Sequence, residues 1–176
     1  MFKTVVLDPP WLERGGGKIK RGADRHYALV KTSDLPGVIT GCPHWGEVQS
    51  DAHMYMWVTN NFLPEGMWLM GQLGFTYKTN VAWVKQRMGL GQYFRGKHEL
   101  CLFGVRGDAY SVRTDDRTIS SVIAADRGKH SKKPDAFMEL VEKRSKGPYL
   151  EVFARREREN WTSWGNEVGG DNEEEG

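Results

Sequence analysis

Cysteine is nearly missing from this chain, with Cys42 and Cys101 its only two among 176 residues. That count excludes a disulfide-stapled scaffold. Zinc is disfavoured too: Cys42 with His44, or His98 with Cys101, lacks the repeated close spacing of a structural site, so no metal is expected. No apolar run is long enough to cross a bilayer and no stretch reads as a secretory leader. The chain therefore reads as cytoplasmic, with no membrane partner. Charge of one sign is also scarce. The formal net charge is +2, too small by itself to demand a polyanionic partner. Lys and Arg do crowd the stretch from Lys85 to Lys146, and Asp171 to Glu175 is acidic. Such a basic stretch reads either as solvated surface or as a face that attracts phosphates.

A hydrophobic share of 39% and a charged share of 27% suit one globular domain with a real core. Short apolar runs recur along the chain: 4–7, 53–58, 75–85, 99–105, 121–125 and 149–154 read as strands, and 161–166 closes the ordered part. The segment from Pro64 to Leu73 fits an amphipathic helix, and a second helix starts at Pro134 and ends near Gly147-Pro148. A shorter helix begins at Thr32-Ser33-Asp34-Leu35. Residues 106–118 read as irregular. Strands alternating with helices argue for an α/β fold with a mainly parallel sheet. One domain over 1–168 is expected, followed by a disordered acidic tail over 169–176.

The chemistry concentrates where the first strand stops. Thr4-Val5-Val6-Leu7 runs into Asp8-Pro9-Pro10-Trp11, and proline cannot donate to a ladder, so the chain must turn there. Ligands of open α/β sheets bind beyond such carboxyl ends. Asp8 and the Pro9 carbonyl offer two acceptors, and consecutive prolines hold them still. Those are what a conjugated amine such as that of adenine needs, because acceptors on its hydrogens favour the tetrahedral nitrogen that forms on methylation. Trp11 offers a flat face on which an extruded base would stack. Read without function, the same four residues are a strand-ending turn and a core tryptophan.

Asp-Pro-Pro-Trp after a short apolar strand resembles the catalytic motif of the β-class amino-methyltransferases. It is similar specifically to the MT-A70 family, named for the catalytic subunit of the messenger-RNA adenosine methyltransferase. Four further stretches follow the family's order: His26-Tyr27 with Lys31-Thr32-Ser33-Asp34-Leu35, then Lys97 to Gly107, then His130-Ser131-Lys132-Lys133-Pro134-Asp135, then Glu151 to Arg155 with Asn160-Trp161 and Gly165-Asn166-Glu167.

This resemblance implies a Rossmann-like methyltransferase fold in permuted order, with the catalytic motif before the cofactor strand near 149–154. It implies transfer of a methyl group from S-adenosylmethionine to the N6 amine of adenine in DNA or RNA. Asp8, Pro9, Pro10 and Trp11 would be catalytic. Lys133 would pair with the methionine carboxylate, Asp8 would sit near the cofactor's ammonium, and Arg155, Asn166 and Glu167 would hold the ribose. A lysine at a helix start is mildly opposed by the helix dipole, which favours a ligand role for Lys133. Trp11, Tyr27, Lys18, Lys20, Arg21 and Arg95 are the candidate substrate contacts, the basic ones lying on two glycine-containing loops. Glu167 departs from the family's glutamine, and Arg156-Glu157-Arg158-Glu159 replaces its proline-containing histidine-asparagine segment. The competing reading is a non-catalytic nucleic-acid-binding partner subunit, and whether the chain pairs with itself or with another subunit stays open.

Overall fold

Val5, Val6 and Leu7 carry apolar side chains on both faces of an extended segment, so the segment is stable only inside a sheet covered on both sides. The computed structural model describes residues 1–12, 30–91, 93–126, 132–165 and 168, and it places this segment in that position. In chain order the strands are β1 (Phe2–Leu7), β2 (Val48–Val58), β3 (Thr76–Val84), β4 (His98–Arg106), β5 (Val122–Ala124), β6 (Tyr149–Val152) and β7 (Trp161–Trp164). The helices are α1 (Leu35–Thr40), α2 (Leu63–Gln72), α3 (Ala109–Val112) and α4 (Asp135–Arg144). The strands form one seven-stranded sheet in the order β5-β3-β4-β2-β1-β6-β7.

β1 pairs in parallel with β2 on one side and β6 on the other, with Val6 opposite Tyr55 and Glu151. β7 continues the parallel run beyond β6, as β5 does beyond β3. β4 alone runs against its neighbours β2 and β3. The reason is its connection: β3 and β4 are joined by a short loop that begins with Lys85 N–H donating to Lys97 O at 2.8 Å, and no helix crosses between them. The sheet is thus mixed but mostly parallel, and the fold is α/β of the Rossmann-like methyltransferase type.

Alternation along the strands sorts side chains into two layers. Val5, Leu7, Met54 and Met56 pack with Leu35 and Ile39 of α1 and with Leu69 and Met70 of α2. Val6, Tyr55 and Trp57 pack on the other face with Phe137, Leu140 and Val141 of α4. Gly66 lets α2 lie directly on the end of β2, because a Cβ there would collide with the stiff Val58 side chain.

Residues 106–118, irregular by their sequence, include α3, whose N-cap Asp108 accepts from Tyr110 N–H at 3.1 Å. α3 is held to β2 by a buried polar chain. His53 Nε2–H donates to the Ala109 carbonyl at 2.9 Å, which leaves Nδ1 to accept from Ser145 Oγ at 2.7 Å. The Tyr55 hydroxyl completes the chain by donating to Ser145 Oγ at 2.7 Å. The strand expected over 149–154 stops at Val152, since Phe153 takes a left-handed φ of 65°. Residues 169–176 lie outside the described residues.

Candidate active site

Because β1, β2 and β6 are parallel, their carboxyl ends share one edge of the sheet, and Asp8 sits on it. Asp8 N–H still reaches Val152 O at 3.4 Å, after which Pro9 and Pro10 end the ladder. Pro9 O accepts from Trp11 N at 2.9 Å. That bond fixes the carbonyl's direction and leaves its second lone pair for a ligand.

Lys133, immediately before α4, projects onto this edge. Its ammonium lies 3.5 Å from Asp8 Oδ1 and 3.1 Å from Glu99 Oε2, and 5.0 Å from the centre of the Trp57 ring. Glu99 Oε1 in turn receives Lys85. Burial works against charge on Lys133, as does the nearby Arg155 guanidinium, yet Asp8 and Glu99 outweigh both and its pKa is raised. Burial likewise opposes charge on Glu99, and Lys133 with Lys85 reverses it, so its pKa is lowered. Both partners therefore stay ionised, and a row Lys85–Glu99–Lys133–Asp8 crosses the edge from β3 to β1.

Glu151 behaves differently. It lies on the α4 side of β6, opposite Val6 in register and so on the same face as Asp8. Burial first, and then the Asp8 charge, push its carboxyl up to about 7, against the pull of Arg158 and Arg156. Beside it in register on β7 is Ser163, whose buried Oγ has no hydrogen-bond partner among the described residues. At the end of β2, Thr59 Oγ1 is buried and likewise unpartnered among the described residues. Arg155 follows the left-handed turn at Phe153. That turn closes against Gly165, where a Cβ would collide with the Ala154 backbone.

Trp11 corrects the sequence reading. It is not an open stacking face but a buried residue, 5% exposed. Its indole N–H donates to Trp57 O at 3.0 Å, and its ring stacks on Phe62 at 5.4 Å. The physical reason is position: directly after a buried strand end, a large ring fills the space between β1 and β2. Arg95 is exposed on the β3–β4 loop, its Nε donating to Gly89 O at 2.7 Å. Tyr27, Lys18, Lys20, Arg21, Asn166 and Glu167 lie outside the described residues.

The structure brings Asp8, Lys133 and Arg155 to one edge of the sheet, together with Glu99, Glu151 and Ser163, which the sequence reading did not single out. The available signal was an acid on an otherwise apolar strand, at Glu151 between Leu150 and Val152. The donor set fits a zwitterionic amino-acid cofactor bearing a diol: carboxylates at Asp8 and Glu151 for an ammonium, the cation at Lys133 for a carboxylate, and Arg155 with the Ser163 hydroxyl for the diol.

The MT-A70 family model matches residues 2–167, nearly the whole chain. The chain belongs to the MT-A70 family. Among its relatives is a "Type II methyltransferase M.MunI" from Mycoplasma sp, 30% identical and aligned over 95% of this chain and 78% of that protein. An "N6-methyladenosine RNA methyltransferase MTA1" of Cryphonectria parasitica is 27% identical, covering 96% of this chain and 52% of its own length. The Pyricularia oryzae protein of the same name is also 27% identical, over 95% and 47%. The chain thus spans about half the length of the MTA1 proteins. MT-A70 membership bears out the resemblance carried by Asp8-Pro9-Pro10-Trp11 and the later stretches, and the chain is a methyltransferase.

Proposed function

We propose that this chain transfers a methyl group from S-adenosylmethionine to the N6 amine of adenine in DNA or RNA. MT-A70 membership and the activities for which its relatives are named support that chemistry. The observation that carries it in this molecule is Lys133 brought within 3.5 Å of Asp8 at the carboxyl edge of β1. β1 and β6 are sheet neighbours although they lie at opposite ends of the chain. That adjacency supports a permuted order, with the amine site on the first strand and the cofactor strand near the end.

S-adenosylmethionine, when bound, supplies an activated methyl group on a sulfonium. Lys133 would hold its carboxylate, Asp8 and Glu151 its ammonium, and Arg155 and Ser163 its ribose hydroxyls. Asp8 also accepts one N–H of the adenine amine, and the second lone pair of Pro9 O accepts the other. These bonds turn the amine lone pair out of conjugation with the ring. Transfer would break the sulfonium's bond to the methyl carbon, leaving a neutral thioether, and the fixed carboxylate and carbonyl would offset the positive charge that grows on N6 as the N–C bond forms, without having to reorganise. The proton that N6 then releases passes to the Asp8 carboxylate. Trp11 supports this turn from behind through its bond to Trp57 O and does not offer its face to the base.

Asp8→Ala in the full chain tests the assignment. Methyl transfer should fall by about a thousand-fold, the upper end of the range for losing one preorganised hydrogen-bonding group, with the thermal unfolding curve still cooperative. Transfer at the wild-type rate would remove Asp8 from the reaction. Nucleic-acid binding without any transfer by the wild-type chain would favour the non-catalytic partner reading.

A further inference from the structure

The loop between β3 and β4 carries the largest exposed aromatic surface among the described residues. Tyr93 is 93% exposed and Phe94 89%, with Met88 and Leu90 both above 60% nearby. Single exposed apolar residues are ordinary, but four within one short loop form a patch that calls for an occupant. The loop is internally built. Gly89 N–H donates to Gly96 O at 2.6 Å, and Arg95 Nε to Gly89 O at 2.7 Å. At Gly91 a side chain would collide with the Phe94 backbone. These bonds close the base of the tip and turn Tyr93 and Phe94 outward.

Charge identifies the occupant. From Lys85 to His98 the sequence holds Lys85, Arg87, Arg95 and Lys97 and not one acid. A second copy docking through the same tip would set these cations against their own kind, whereas a phosphate backbone is complementary to them. Location gives the direction. The loop rises from the same sheet edge as Asp8, and Lys85 and Glu99 at its base join it to Lys133.

We propose that Tyr93 and Phe94 form a stacking platform for unpaired bases flanking the target adenine, with Arg87, Arg95 and Lys97 on the adjoining phosphates. This rests on the proposed adenine methylation and adds to it a preference for single-stranded nucleic acid. Bases inside a duplex hide their faces in the stack and cannot reach the platform.

The test is fluorescence anisotropy of the full chain with end-labelled adenine-containing DNA and RNA 12-mers, single-stranded and as matching duplexes. Replacing both aromatics, Tyr93→Ala with Phe94→Ala, should weaken single-strand binding about ten-fold or more, as expected when base–aromatic stacking is lost. The pair Tyr93→Trp with Phe94→Trp should restore it. Duplex binding should change by less than about three-fold, because it rests on phosphate contacts. S-adenosylmethionine affinity, read by calorimetry, should be unmoved in both variants, showing that each is folded. Equal single-strand affinity of wild type and alanine pair overturns the platform. So does sedimentation showing that the alanine pair turns a wild-type dimer into a monomer. If wild-type protein methylates adenine in either case, only the platform falls. If it methylates nothing, the functional reading falls with it.

Discussion

Trp11 donates its indole N–H to the backbone carbonyl of Trp57 at 3.0 Å, tying the end of β1 to the end of β2. Phenylalanine at position 11 would keep the stack on Phe62 but leave that buried carbonyl without its partner. Such an orphaned acceptor costs about 1–3 kcal/mol. Trp11→Phe should therefore lower the thermal midpoint and also slow methyl transfer, because the turn that aims Asp8 and Pro9 loosens. An unchanged midpoint with slower transfer would instead return Trp11 to direct contact with the base.

Lys133 is shared by two carboxylates, so its loss does more than remove a cofactor contact. In Lys133→Met, Asp8 loses its ion pair with the ammonium, and Glu99 keeps Lys85. S-adenosylmethionine affinity should fall about ten-fold or more, in line with a lost charge-assisted contact. Calorimetry measures it, and Lys133→Arg should recover only part of the loss because the planar fork replaces a point charge. Wild-type affinity in Lys133→Met would remove the residue from the site.

Glu151, with its carboxyl near 7, makes the site sensitive to pH. Its folded pKa is raised above the ordinary 4.5, so its stabilising effect is fully present below about pH 4.5 and is lost as pH rises through about 7. Glu151→Gln should thus stabilise the cofactor-free protein at about pH 8 and change little at about pH 5, by thermal unfolding. An ammonium bound beside it should drive ionisation, so cofactor binding near pH 7 should release a proton. Titrations in buffers of different ionisation enthalpy would detect it. No buffer dependence would place the ammonium elsewhere.

His53 has the opposite sign. Burial depresses its pKa from 6.5, helped by the charges of Arg144 and Arg113 and opposed by its bond to Ala109 O. A histidine held neutral gives stability that is present above about pH 6.5 and is lost as pH falls through its folded pKa. Protonation would also break the bond that Nδ1 accepts from Ser145. Acidification from about pH 7 to 5 should therefore lower the melting temperature of wild type more than that of His53→Gln. Parallel curves would show that the His53–Ser145–Tyr55 chain is not the acid-labile element.

Much of this was legible in the sequence because the strands announce themselves. Val5-Val6-Leu7 and Met54 to Val58 are apolar on both faces, as only central strands are, and Pro9-Pro10 marks the edge where a site forms. The reversal of β4 was within reach, since 85–97 is too short and too glycine-rich to hold a crossover helix. Trp11 misled because an aromatic beside a catalytic turn looks the same in sequence whether it faces the base or the core. Glu99 and Glu151 escaped because an acid on a strand reads as a solvent-facing position. What makes them part of the site are Lys133 and Asp8, partners set by tertiary packing.

Nucleoside analysis decides which atom, if any, receives the methyl group. The purified chain is incubated with methyl-labelled S-adenosylmethionine and adenine-containing DNA and RNA oligomers, which are then digested and separated. Label is expected in N6-methyladenine nucleoside from at least one oligomer, and none when Asp8 is replaced by alanine. Label in another nucleoside, or none in any, would contradict N6 methylation of adenine.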